Sequence, residues 1–272
     1  MEATGAVPAP AEGPAPVPHG SVPALPLPAG SRSAAGLAVA VSGGSSGIGR
    51  AVAARFLDRG AAVAVLARRG ERLEALLDEH RPSRERTVAV AGDATVRAQV
   101  EAFVAEAEKR LGRLDVFVVN AGLNVRERAL DRLDPADWRR MLAVNLDAAY
   151  HCTQAALPLF RAQGAGLFVY VTSRSARRAD GSGAAYQAAK HGVVGLAGAV
   201  RFEEERRGIR ATVLYPGVVN TPLVLQRPVP PSPEDLAEAL QPDDVAAAVE
   251  FVATLPGRVV VSEMEMYPLR PM

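Results

Sequence analysis

Apolar positions along the chain fall into two alternating patterns. Short runs rich in alanine and valine occupy 37–42, 62–67, 87–91, 115–119, 167–172 and 209–215, with a less regular one at 259–267. Between them apolar residues recur at helical spacing near 47–59, 71–80, 95–111, 135–160, 184–207 and 242–254. The short runs read as buried strands and the longer amphipathic ones as the helices that cover them. Such alternation predicts parallel strands joined by right-handed crossovers. The expected fold class is α/β, a single doubly wound domain whose seven-stranded parallel sheet has helices on both faces. Ligands of these sheets bind beyond the carboxyl ends of the strands, so chemistry is expected in the loops opening near 42, 67, 92, 119, 172 and 215.

The pattern does not extend to the N-terminus. Residues 1–36 hold eight prolines before Gly30 and three charged side chains, Glu2, Glu12 and Arg32. Such a stretch cannot bury enough apolar surface to offset its ordering entropy, so 1–36 is expected to be a disordered or polyproline-like tail and 37–272 the folded domain. The 272 residues are 49% hydrophobic and 22% charged, which excludes a chain disordered throughout. A net charge of +1 gives no reason to expect nucleic acid or an anionic membrane as partner. The single cysteine, Cys152, excludes an internal disulfide and any thiolate cluster, so no metal site is expected. No apolar run reaches the ~20 residues of a membrane span and no secretion signal opens the chain, so a cytoplasmic location is expected. Only Lys109 and Lys190 are lysines among 31 basic residues, which draws attention to any lysine at a chemically useful position.

The first loop beyond a strand reads Ser42, Gly43, Gly44, Ser45, Ser46, Gly47, Ile48, Gly49 and opens a helix. Glycines there let the backbone turn and approach a pyrophosphate, and the free amides at the helix N-terminus favour its charge. Tyr186 and Lys190 stand four apart and project from one face of a predicted helix. An ammonium beneath a phenol favours the phenolate and is expected to lower its pKa, which would make Tyr186 a general acid for a carbonyl.

Taken together, these motifs resemble the short-chain dehydrogenase/reductase family. The G-x-x-x-G-x-G spacing of Gly43, Gly47 and Gly49 is similar to its cofactor loop. Asp93, followed by Ala94, stands at its adenine-contacting position. Asn120, Ala121 and Gly122 match its N-N-A-G element, with Val119 in place of the first asparagine. Pro216, Gly217, Val219 and Thr221 fall on its P-G-x-V-x-T. The resemblance covers about 37–272 and implies a Rossmann fold, a homotetramer or homodimer formed through the fourth and fifth helices, and catalysis by Asn145, Ser173, Tyr186 and Lys190. Ser173 precedes Tyr186 by thirteen residues, the family's separation, which selects it over Ser175. It would hold the carbonyl oxygen while Asn145 held a water linking Lys190 to solvent. The cofactor set implied is Gly43, Ser45, Ser46, Gly47, Ile48, Gly49, Arg68, Arg69, Asp93, Ala94, Asn120, Ala121, Gly122, Tyr186, Lys190, Pro216, Gly217, Val219 and Thr221.

NAD-preferring dinucleotide folds place an acid at the end of the second strand. Alignment with the family puts Ala67 there, followed by Arg68 and Arg69. A guanidinium can bind a 2′-phosphate, so NADP(H) is the expected cofactor, with Arg68 foremost. The expected activity is hydride transfer between a ketone or aldehyde and an alcohol on a small-molecule substrate. Alternatives are 3-oxoacyl-carrier-protein reduction and a non-catalytic NADP-binding sensor. The C-terminal sequence is similar to the subgroup of 3-hydroxy-acid and clavulanate-type dehydrogenases. Six prolines from Thr221 to Pro242 predict a stiff lid. Arg126, Arg128, Arg174, Arg177 and Arg178 lie on active-face loops and are candidates for receiving a carboxylate or phosphopantetheine.

Overall fold

The computed structural model describes residues 32–270. The tail expected over 1–36 therefore lies outside the described residues as far as 31. Residues 32–36 are packed: the Arg32 amide donates to the Thr254 carbonyl at 2.9 Å, its guanidinium pairs with Asp115 at 3.0 Å, and Ala34 is buried. Composition hid this segment because its polar anchors, the Arg32 guanidinium and one backbone bond, carry no apolar pattern.

Seven parallel strands form one sheet: β1 (Ala38–Ser42), β2 (Ala62–Ala67), β3 (Thr87–Ala91), β4 (Val116–Val119), β5 (Gly166–Val171), β6 (Ile209–Pro216) and β7 (Glu263–Met266). Their order is β3-β2-β1-β4-β5-β6-β7, so the winding reverses between β1 and β4. That reversal opens a crevice beyond the strand ends. Alternate residues of each strand serve opposite faces. Val39, Val41, Val63, Val65, Val116 and Val118 pack under α1 (Gly47–Asp58), α2 (Gly70–Glu79) and α8 (Pro242–Thr254). Ala40, Leu66, Phe117, Phe168 and Tyr170 pack on the other face under α3 (Arg97–Leu111), α5 (Ala148–Gln163) and α6 (Ala184–Glu204). Cys152 belongs to this second layer, and burial pushes its thiol up to about 12.

Three segments differ from the sequence expectation. The helix predicted over 135–160 is α4 (Pro135–Leu142), a π turn over Ala143–Asp147, and then α5. An apolar period continues through such a turn, so the pattern does not mark it. The last strand is confined to Glu263–Met266, because carbonyls 259 and 261 are taken by the side chains of Arg210 and Thr212 rather than by the ladder. The proline-rich lid contains a helix, α7 (Pro233–Glu238), opened by a reciprocal cap between Ser232 and Asp235 and by Pro233 in its first turn. Among the described residues no helix is long and apolar enough to cross a membrane.

Candidate active site

β1 ends at Ser42, and the chain turns through Gly43 at φ +72°. A Cβ at Gly43 would lie 2.8 Å from the Ala121 Cα, so the β1 loop reaches the end of β4 only with glycine there. The Ser42 hydroxyl accepts the amides of Asn120 at 3.0 Å and Ala121 at 3.3 Å, fastening the two strand ends where the sheet reverses. Asn120 returns its own amide to the carbonyls of Ser42 and Gly43. Gly44 is equally constrained, since a Cβ there would meet Val65 at 2.2 Å.

α1 then begins with no side-chain cap from Ser46 and no acid in its first turn. Its first amides have no partner within the helix, and the positive end of the dipole faces the crevice. That donor set fits the pyrophosphate of a dinucleotide. Arg69 reaches over the same loop and donates to the hydroxyls of Ser45 at 3.0 Å and Ser46 at 2.9 Å. Arg68 lines the cavity without such a bond. Arg69 is thus the residue whose side chain returns toward the serines, while Arg68, the one expected foremost from sequence, lines the same cavity.

The crevice is a cavity of about 200 Å³, lined by Gly43, Ser45, Ser46, Gly47, Ile48, Arg68, Arg69, Asp93, Ala94, Asn120, Ala121, Gly122, Tyr186, Lys190 and Thr221 of the sequence-assigned set. Gly49 stands behind the loop, where a Cβ would come within 2.5 Å of Asn120 Nδ2 and the Gly43 carbonyl. Pro216, Gly217 and Val219 line a neighbouring cavity instead, since β6 lies two strands beyond the point of reversal. One Asp93 oxygen is engaged by the amide and hydroxyl of Thr95 at 2.9 and 2.8 Å. Sequence reasoning missed Val144, Ala148, Thr172, Pro222 and Leu223 on the crevice wall. Of these only Thr172, next to Ser173, had a signal that could have found it.

The second cavity, about 350 Å³, lies beside the first, and Tyr186 and Thr172 line both. Ser173 faces this second space. Its rival Ser175 is buried and donates to Asp180 at 2.7 Å, leaving the Ser175 oxygen to accept from Ser173 at 3.1 Å. Ser173 is thus the serine whose hydroxyl is not committed to a carboxylate.

Lys190 is buried and donates to the Val171 carbonyl at 3.1 Å, its ammonium 5.6 Å from the Tyr186 ring centroid. Burial pulls the ammonium down to about 8. The expectation that Lys190 lowers the phenol is not met: burial pushes Tyr186 up to about 12, opposed by its hydrogen bond with Ser173. The ammonium is turned to the Val171 carbonyl, and desolvation is the larger effect on the phenol. Asn145, in the π turn, gives both amide protons to the carbonyls of Leu123 and Met141 at 2.9 Å and accepts the Leu123 amide at 3.1 Å. It therefore fixes the loop after β4. Across Gly122 it faces Lys190: a Cβ there would be 3.0 Å from Asn145 Oδ1 and 3.6 Å from Lys190 Nζ.

Of the five loop arginines, Arg128 and Arg174 line the second cavity, joined by Arg227, which the sequence did not single out. Arg177 pairs with Glu263 and Glu265 and lies over the Tyr215 ring. Arg126 and Arg178 line separate surface hollows. Among the described residues no group of three or more histidines, cysteines and acids could hold a metal ion.

The short chain dehydrogenase family matches residues 37–228. The chain is 34% identical over 224 residues to levodione reductase of Leifsonia aquatica, covering 81% of this chain and 80% of that protein. It is 33% identical over 222 residues to cis-4-hydroxycyclohexanecarboxylate dehydrogenase of Sinomonas cyclohexanicum, covering 79% and 88%. A solved alcohol dehydrogenase of Thermococcus sibiricus, complexed with 5-hydroxy-NADP, superposes with TM-score 0.77 at 30% identity, covering 87% of this chain and all of that one.

Proposed function

The chain belongs to the short chain dehydrogenase family, and from that premise we propose that it is an NADP(H)-dependent oxidoreductase interconverting a ketone or aldehyde and an alcohol. The observation that carries this reading is the position of Tyr186, whose side chain borders both the dinucleotide crevice and the adjoining cavity. Relatives named as a reductase and as dehydrogenases agree with interconversion of carbonyl and alcohol.

The α1 amides would hold the pyrophosphate, and Arg69 with Ser45 and Ser46 the 2′-phosphate. A bound nicotinamide supplies or takes the hydride. Ser173 releases Ser175 and donates to the carbonyl oxygen, stabilising the charge that develops there. Tyr186 delivers its proton to that oxygen. A phenol held near 12 keeps this proton at neutral pH, the state from which carbonyl reduction starts. Lys190, near 8, is able both to stabilise the phenolate and to return a proton. Asn145 fixes the Gly122 wall, and its second Oδ1 lone pair is left to orient water toward Lys190. Tyr150 and Phe202, exposed on α5 and α6, support assembly of a homodimer or homotetramer through those helices.

Tyr186→Phe tests the reading. Ketone reduction followed by NADPH absorbance should fall about 10²- to 10⁴-fold while NADPH binding is kept. A variant that retains wild-type turnover refutes the mechanism.

A further inference from the structure

The cavity beside Tyr186 contains a cation that makes no direct ion pair among the described residues, with Asp180 on the same lining attracting it only through space. Arg128 is 6% exposed, and its Nε has no hydrogen-bond partner. One terminal nitrogen donates to the Gln226 carbonyl, which clips the loop after β4 to the lid. Among the described residues no carboxylate forms an ion pair with Arg128. Burying an unpaired donor of a charged group is costly, so such a group is retained where something else satisfies it. Desolvation lowers the Arg128 pKa, and Arg227 adds to this from the same cavity wall.

The charge around this space is lopsided. Arg128, Arg174 and Arg227 line it against one acid, Asp180. Asp180 is already engaged by the Ser175 hydroxyl at 2.7 Å and the Ser182 amide at 2.9 Å. Arg128 is held in place by the chain leading into α6: Gly183 has φ +89°, and a Cβ there would lie 2.7 Å from the Arg128 carbonyl and 2.8 Å from its Cβ. The base of the Arg128 side chain is thus fixed against the segment that presents Tyr186 three residues later, and the Gln226 carbonyl holds its guanidinium.

We propose that Arg128 is a substrate anchor, and that the cavity takes a carbonyl or hydroxy compound bearing a carboxylate that accepts from the unpartnered Nε. The proposal rests on the reading that Tyr186 faces the reacting carbonyl. A carboxylate there neutralises a buried cation and fixes the distance from the anion to the reacting carbon. Neutral substrates of the same shape lack that anchor.

The test is calorimetric titration of cyclohexanecarboxylate, and of cyclohexanecarboxamide as its neutral match, into the full chain saturated with NADP+. The acid should bind at least about ten-fold more tightly than the amide, with a preference that shrinks as salt rises. Arg128→Met should abolish the preference and Arg128→Lys should restore part of it, with NADP+ affinity unchanged in both. Should Arg128→Met fail to fold, Arg227→Gln on the same wall should still weaken acid over amide. Equal binding of acid and amide by the wild type, or a preference kept in Arg128→Met, overturns the proposal. Inorganic phosphate competing as well as the acid overturns the carboxylate assignment in favour of a phosphate-bearing substrate. NADP+ titrated alone separates the two readings: its failure to bind rejects the cofactor assignment, whereas normal NADP+ binding without acid preference rejects only the anchor.

Discussion

The dinucleotide crevice and the cavity beside it share Tyr186 but are made of different material. The crevice is built from backbone: a left-handed glycine, helix amides and strand ends joined through Ser42. The neighbouring cavity is built from side chains on three separate loops, Arg128, Ser173 and Arg227 among them. A backbone site tolerates few residue types at fixed spacing, so altering it should damage every ligand alike. A side-chain site sets preference, so altering it should change which ligand is taken.

The largest expected effect lies in the crevice. Gly43→Ala forces a Cβ to within 2.8 Å of the Ala121 Cα in a conformation with φ +72°. The strain is about 1–3 kcal/mol. Displacing the loop by an ångström should weaken NADPH about 10²-fold. Chemical denaturation and fluorescence titration measure the two losses, and NADH should weaken in parallel. A variant that loses NADPH but keeps NADH would break the distinction between the two sites.

Arg69→Gln should sharpen the same contrast, because Arg69 is the side chain proposed to read the 2′-phosphate beside a pyrophosphate site made of main chain. Losing a charge-assisted contact with a 2′-phosphate should lower kcat/KM for NADPH about 10- to 100-fold and leave NADH within about three-fold. Arg68→Gln, whose guanidinium makes no bond to Ser45 or Ser46, should change either value little. A larger loss in Arg68→Gln than in Arg69→Gln would return the assignment to the order that the sequence suggested.

What could be read in advance follows from the same division. The strand and helix order was legible because fully buried parallel strands are continuous apolar runs, and valines at 39, 41, 63 and 65 leave no other reading. That Gly43, Gly47, Tyr186 and Lys190 would meet around one crevice was legible because local spacing carries it. The π turn was not, since Asn145 earns its position through bonds to Leu123 and Met141 that no period encodes. Arg227 was invisible for a similar reason: only the fold of the lid brings it to the wall that holds Arg128. The sign of the phenol shift was missed because four-residue spacing shows that a charge is near but says nothing of how completely both groups are desolvated.

Lys190 lines the crevice one helical turn beyond Tyr186, and its burial predicts a small effect of definite sign. Its folded value is about 8 against an ordinary 10.5. Between these values the unfolded chain carries a proton on this lysine that the folded chain has released, so its contribution to stability rises with pH across that window. Tyr186 acts oppositely above 10, where the unfolded phenol ionises while the folded one, held near 12, does not. Lys190→Met removes only the first contribution. From pH 8 to 10, the unfolding free energy of the wild type minus that of the variant should rise with a slope of at most about 1.4 kcal/mol per pH unit, measured by urea denaturation. A flat difference would show that water reaches the ammonium and that burial does not hold its charged form down.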